Sequence, residues 1–257
     1  MSTRYAPHVD CRKDEARNGI RERVGTIVGS RGPVPLALWT PVDVLPRHLV
    51  LVGHGAGGTK HEEYVVALAR RLVRDFSMAA CAIDGPAHGE RRSDGDAGVS
   101  LQFLEFAQLW ANDPDLTDSM ISDWRDTIDV IFKEGFVDPA SNVGYWGLSM
   151  GSILGLPLVA AEPRIEAAVL GLYGITGPTK DRIRIDAARI GVPVLFLMQW
   201  DDELFARDVV FALFDALASR DKILVATPGA HAEVTPETFR RSADFLGDRL
   251  GAEKVAK

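Results

Sequence analysis

Gly147-Leu148-Ser149-Met150-Gly151 stands between the apolar run Asn142–Gly147 and a helix-like run that begins at Met150. A serine hydroxyl is a weak nucleophile at neutral pH and needs exposure, a base and a stabilised oxyanion. A sharp strand-to-helix turn lifts Ser149 out of the sheet edge. It also puts the Met150 N–H at a helix N-terminus, where unpaired donors and the dipole favour negative charge. The same turn crowds the backbone, so small residues must flank the serine two positions away, as Gly147 and Gly151 do. The plain alternative is a glycine turn in which Ser149 only caps a helix. A strand before it and a helix after it weigh against that reading.

Outward from this turn the chain alternates. Downstream, strands at Ala167–Leu172, Val192–Met198 and Lys222–Ala226 lead into helices near Asp181–Arg189, near Ala206–Leu217 and from Thr235, with Pro236 in the last helix's first turn. Upstream, the apolar strand His48–Val52 runs into Gly53–Gly58. Thr59 and Glu62 then show the spacing of a capping box before the helical pattern Tyr64–Phe76. Ser77–Ile83, holding Cys81, reads as a buried strand, and Asp84–Gly89 as a loop. Arg23–Val28 and Val34–Thr40 read as a hairpin around Gly29–Pro33, and the polar residues 1–20 as an arm or short helix. Residues 90–118 carry no strand signal. They open on a polar stretch, Arg91 to Gly98, continue through Phe103, Phe106 and Trp110 at helical spacing, and look like a small lid; Ser119–Gly135 returns to a helix. Continuous apolar strands alternating with helices predict one α/β domain over residues 1–257. Its mostly parallel eight-stranded sheet has helices on both faces, an antiparallel edge and a lid insertion.

Composition narrows the function. The 257 residues carry a net charge of −7, a balance that argues against nucleic acid and anionic membranes as partners. Two cysteines, Cys11 and Cys81, build neither a disulfide framework nor a cysteine zinc site. No signal-peptide pattern and no apolar run of membrane-spanning length is present, so a cytoplasmic location is expected. Oligomeric state is unreadable, and a homo-oligomer stays open.

The chemistry of Ser149 asks for a histidine in reach and a carboxylate behind it. Of six histidines, His231 lies in Pro228-Gly229-Ala230-His231, between the last strand and the last helix, where a side chain can reach back across the sheet edge. Asp201, Asp202 and Glu203 follow the strand Val192–Met198; one suits the histidine and the others should face solvent. Trp146 and Trp200 border these motifs and should pack beneath them.

Gly53-His54-Gly55-Ala56-Gly57-Gly58 lets the backbone approach a substrate carbonyl closely, with the Ala56 N–H as second oxyanion donor beside Met150. The segment also satisfies G-x-G-x-x-G at Gly53, Gly55 and Gly58, and Asp84 follows near where a ribose-binding acid is expected, so a dinucleotide-binding oxidoreductase is the rival. A hairpin precedes this strand, however, and the rival leaves Ser149, Asp202 and His231 without a role. Asp84 more naturally holds its own loop, and His54 and His88 brace theirs as hydrogen-bond donors.

The chain resembles the α/β-hydrolase superfamily, and within it the dienelactone hydrolase-like and small serine esterase branches. His54–Gly58, Asp84–Gly89, Gly147–Gly151, Asp202-Glu203-Leu204-Phe205 and Gly229-Ala230-His231 carry the likeness over residues 23–250. The resemblance implies the order serine, acid, histidine, and so Ser149, Asp202 and His231. Asp202 fits the usual frame of an acid, one variable residue and a hydrophobic pair; Asp201 does not. Departures are Ser149 where dienelactone hydrolases resemble cysteine enzymes, Gln199-Trp200 in the acid turn, and a short lid. The expected activity is cleavage of a small-molecule carboxylic ester without cofactor or metal. Thioester, lactone, amide and carbon–carbon bond hydrolysis stay open on the same machinery. Phe103, Phe106 and Trp110 are candidates to line a substrate pocket.

Overall fold

The computed structural model describes residues 8–92 and 98–255. Nine strands form one sheet: β1 (Val9–Arg17), β2 (Ile20–Gly29), β3 (Gly32–Pro41), β4 (His48–Gly53), β5 (Ala79–Ile83), β6 (Asn142–Gly147), β7 (Ile165–Gly171), β8 (Val194–Gln199) and β9 (Lys222–Thr227). Their order is β1-β2-β3-β5-β4-β6-β7-β8-β9. The first three are antiparallel, and β5 onward run parallel. Among the described residues seven helices fill the connections: α1 (Glu63–Phe76), α2 (Val99–Asn112), α3 (Leu116–Lys133), α4 (Met150–Ala161), α5 (Lys180–Ala187), α6 (Arg207–Ala216) and α7 (Pro236–Leu250).

The sheet divides the core in two. Successive side chains of a strand point to opposite faces, so Leu49 and Leu51 of β4 join the core under α3 and α4. Val50 and Val52 join the core under α1 and α7. Both faces are dry, which is why the central strands read as continuous apolar runs.

Three expectations need correction. The sheet has nine strands, not eight, because residues 9–17 are an edge strand rather than an arm. β1 is exposed along most of its length and shows no alternation. Backbone pairing with β2 and the ion pairs Arg21–Asp14 and Lys13–Glu22, at 3.0 and 3.2 Å, hold it. Thr59 and Glu62 form no capping box: Glu62 itself is the N-cap of α1 and makes no side-chain cap bond, while the Thr59 hydroxyl accepts the His61 N–H at 3.2 Å. Trp200 is 45% exposed rather than packed beneath the site, with the Arg207 guanidinium 4.6 Å over its ring.

In the lid region a single 3₁₀ turn, Gly89–Arg91, precedes α2, and α3 follows directly. Residues 93–97 of the expected polar stretch, and residues 1–7 of the expected arm, lie outside the described residues.

Candidate active site

Register places Gly53 of β4 beside Gly147 of β6, so the glycine loop and the serine turn leave the sheet side by side. Ser149 sits at φ 55°, a left-handed conformation that costs a non-glycine residue about 1–3 kcal/mol unless its surroundings hold it. Here they do. The Ser149 N–H donates to the Gly171 carbonyl at 3.0 Å. The Ser152 hydroxyl donates to the Gly147 carbonyl and accepts the Gly171 N–H, both at 2.7 Å. A Cβ on Gly147 would lie 2.7 Å from the Gly151 carbonyl oxygen, and one on Gly151 would lie 2.6 Å from that of Gly53. The need for small flanking residues is therefore steric, within the turn at Gly147 and against the end of β4 at Gly151.

His231 lies between Ser149 and Asp202. Its Nδ1 is 2.8 Å from Asp202 Oδ2 and its Nε2 is 2.9 Å from Ser149 Oγ. With Nδ1–H given to the carboxylate, Nε2 is left to accept the serine proton. The Asp202 side chain is 3% exposed, and its other oxygen accepts the N–H groups of Leu204 and Phe205 at 2.8 and 3.0 Å. Phe205 packs against the imidazole, 5.6 Å between ring centres.

The neighbouring acids do not simply face solvent, as expected from sequence. Glu203 Oε2 accepts the His231 N–H at 2.9 Å, a bond that holds its carboxyl below the ordinary range, and Asp201 Oδ2 accepts the Gly229 N–H at 3.4 Å. Gln199 completes the grip: its amide donates to the Ala230 and Glu233 carbonyls, at 3.2 and 2.7 Å. Every side chain in this turn except Trp200 thus reaches the histidine loop. A buried glutamine ending an apolar strand was the available signal for Gln199; nothing local marks Glu203.

Met150 opens α4, and neither its N–H nor that of Ala56 has an acceptor among the described residues. The two loops around Ala56 are stitched together by histidines. His54 Nε2 accepts the Gly85 N–H and His88 Nε2 accepts the Gly57 N–H, each at 2.8 Å. Each ring uses Nδ1 to donate within its own loop, to Gly55 and Pro86 carbonyls. Burial lowers both imidazole pKa values, that of His54 to about 4, which keeps both neutral as this pattern requires.

Asp84 is fully buried. Burial pushes its pKa up, but the Lys60 ammonium at 2.6 Å and the N–H groups of Lys60 and Glu90 outweigh this and hold it below the ordinary value. A carboxylate so buried is out of reach of a ribose, and the glycine loop lies beside the serine turn instead, a Cβ on Gly55 coming within 3.9 Å of the Ser149 side chain. Among the described residues no group of three His, Cys, Asp or Glu side chains is placed to hold a metal ion.

A cavity of about 310 Å³ opens beside Ser149 and His231, walled by Ala56, Tyr64, Trp146, Leu172 and Phe239. None of the expected pocket residues Phe103, Phe106 and Trp110 lines it. Phe106 is buried against His88 and stacks on Trp110, whose indole donates to Thr179 Oγ1 at 2.8 Å. Phe103, one turn before Phe106, is 47% exposed. Phe106 and Trp110 pin α2 to the body. At its N-terminal end Val99 presses on the glycine loop, where a Cβ on Gly57 would lie 2.5 Å from Val99 Cγ1.

No protein-family model matches the sequence, and no curated protein matches it. Solved structures do. A cold-adapted esterase from an Arctic intertidal metagenomic library is 35% identical, with a TM-score of 0.82 over 93% of this chain and 98% of its own. The acetyl xylan esterase of Paenibacillus sp. R4 shares the fold at 20% identity and a TM-score of 0.71, over 95% of this chain and 89% of its own. A Klebsiella pneumoniae protein described as a dienelactone hydrolase does so at 19% and 0.72, over 91% and 99%.

Proposed function

Given that the chain belongs to the α/β-hydrolase esterases, we propose that it is a serine carboxylesterase acting through Ser149, His231 and Asp202. The observation that carries this reading is the imidazole of His231 held at 2.8 Å from Asp202 and 2.9 Å from the hydroxyl of a serine on a strained turn. The resemblance to a 35% identical esterase along nearly its whole length supports it.

Ser149 Oγ attacks the ester carbonyl as its proton passes to His231 Nε2, and the carbonyl π electrons move onto oxygen. The Ala56 and Met150 N–H groups face that oxyanion, and one such donor is worth about 10²–10³ in rate. When the tetrahedral intermediate collapses, the bond to the alkoxy oxygen breaks and His231 gives its proton to the departing alcohol. Water, deprotonated by the same imidazole, then attacks the acyl–Ser149 ester and releases the acid, returning the proton to Ser149. Asp202 holds the tautomer throughout and offsets the charge of the imidazolium.

The substrate is a small-molecule ester, a reading that the likeness to the 35% identical esterase supports. No helix among the described residues is long and apolar enough to cross a membrane. Turnover of p-nitrophenyl esters by the wild type and Ser149→Ala tests the reading. A loss of about 10⁴-fold or more on removing the hydroxyl is expected. Equal rates for the two proteins would overturn it.

A further inference from the structure

Tyr64, the second residue of α1, reaches back across the glycine loop. Its Oη accepts the Gly55 N–H at 2.7 Å, and its ring is wedged between Trp146 and Phe239, with centroids 6.0 and 5.9 Å away. The hydroxyl is therefore fixed in place. A Cβ built on Gly55 would lie 3.5 Å from Tyr64 Oη and 3.9 Å from the Ser149 Cβ, so the phenol stands next to the nucleophile. Because the Gly55 N–H occupies a lone pair, the O–H must point elsewhere. Among the described residues nothing accepts its proton. Burial raises the phenol pKa to about 12, so that proton is retained at neutral pH.

Beyond the catalytic pair Ser149 and His231 most of the wall is apolar: Leu148, Leu172, Val234 and Phe239 carry no donor, and the Trp146 indole N–H, also without a partner, is buried away from the surface. Apart from Ser149, Tyr64 brings the one side-chain hydroxyl to the lining among the described residues. An ester that is hydrocarbon on both sides of its carbonyl would displace water from this O–H and offer nothing in return. Sites built around such a donor discriminate against ligands that leave it unpaired.

We propose that Tyr64 is a specificity-determining residue. Its O–H donates to a second acceptor oxygen of the substrate, so the site takes oxygenated esters, with an ether, carbonyl or hydroxyl oxygen a few bonds from the scissile carbonyl. This rests on the reading of Ser149 as the nucleophile. The oxygen can sit on the acyl arm or on the alcohol arm.

Matched pairs that exchange one CH₂ for O provide the test. On the acyl arm, p-nitrophenyl butanoate is paired with the methoxyacetate, and the pentanoate with the 3-methoxypropanoate. On the alcohol arm, butyl acetate is paired with 2-methoxyethyl acetate. Each pair is measured with the wild type and with Tyr64→Phe, which keeps the ring packing. The ratio of kcat/KM for oxygen over carbon is compared between the two proteins, so the intrinsic reactivities cancel. In at least one pair the ratio should fall about fivefold in Tyr64→Phe, and the pair that responds identifies the arm. Unchanged ratios in every pair would overturn the proposal, including the case where all substrates slow equally, since the hydroxyl would then only anchor Gly55. If Tyr64→Phe does not fold, 3-fluorotyrosine at this position is a stronger donor and weaker acceptor. It should raise the preference for oxygen, and an unchanged preference overturns the proposal. Failure of the wild type to turn over any pair, with no labelling of Ser149 by a fluorophosphonate, would remove the hydrolase reading as well.

Discussion

His54 and His88 meet edge to face with ring centres 5.2 Å apart, and each accepts a backbone N–H from the other's loop. The exchange ties the segment after β4 to the segment after β5. It does so beside Ala56, because the Gly57 N–H held by His88 belongs to the next residue. The Gly57 N–H, one residue past Ala56, is thus anchored by an imidazole from a different loop, 31 positions away in sequence.

His88→Ala should therefore slow the reaction without weakening substrate binding. A displaced oxyanion donor loses part of the effect of a deleted one, so kcat is expected to fall about 10- to 100-fold with KM nearly constant. Steady-state kinetics on a p-nitrophenyl ester decide it, and an unchanged kcat would mean that Ala56 is held by other contacts.

The same clasp makes the fold acid-sensitive. Burial holds His54 at a pKa of about 4 in the folded chain against an ordinary 6.5, so the unfolded chain takes up the proton first as pH falls. Stability is at full strength above about pH 6.5, is drawn down by on the order of 3 kcal/mol between there and pH 4, and levels off below. Carboxylates titrate in part of this window, so the comparison is with His54→Gln, which carries no titrating group. Its Tm should be lower near pH 7 but should fall less steeply down to pH 4. Parallel Tm curves would show that His54 does not titrate between the two states.

Three acids in a row behave differently. Asp202→Asn removes the acceptor for the His231 Nδ1–H and favours the wrong tautomer, so kcat should fall about 10⁴-fold. Glu203→Gln weakens only a bond to the His231 backbone, and Asp201→Asn a 3.4 Å contact to Gly229. Losses of about tenfold and threefold are expected for these two. Measuring all three variants with one substrate tests the assignment, and a larger loss for Asp201→Asn than for Asp202→Asn would reverse it.

How far these features could be read from sequence follows from how local their causes are. The Ser149 turn is legible because its pattern, Gly147, Ser149 and Gly151 between a strand and a helix, is written within five residues, although Gly151 is crowded by the end of β4. His231 is legible because a loop between the last strand and the last helix brings it to the sheet edge. β1 was hidden because an edge strand solvated on most of its surface needs no apolar alternation. Its one signal was the dipeptide Asn18-Gly19, whose residues both take positive φ in the tight hairpin turn. Gln199, Glu203 and Tyr64 act on partners that the fold brings near: Gln199 and Glu203 through contacts 28 to 34 positions away, and Tyr64 on Gly55 through a helix that returns over it. The spacing of Phe103, Phe106 and Trp110 marks a helix correctly but does not say which surface its inner face covers.

Gly151→Ala tests the steric argument at the turn. The added Cβ would lie 2.6 Å from the Gly53 carbonyl oxygen, 3.1 Å from its carbon and 3.3 Å from the His54 carbonyl oxygen, all backbone atoms of a strand end and loop that cannot rotate away. Relief requires α4, which carries the Met150 N–H, to move away from the end of β4, which leads into the loop that carries the Ala56 N–H. Overpacking of this kind costs about 1–3 kcal/mol, equivalent to a fall in Tm of roughly 3–10 °C for a chain of this size. kcat should drop with it, because the two donors move apart. Gly191→Ala is the control: nothing lies within 4 Å of its Cβ position, so Tm should stay within about 1 °C. If Gly151→Ala matched that control in both Tm and kcat, the close approach of the serine turn to β4 would not be what requires glycine there.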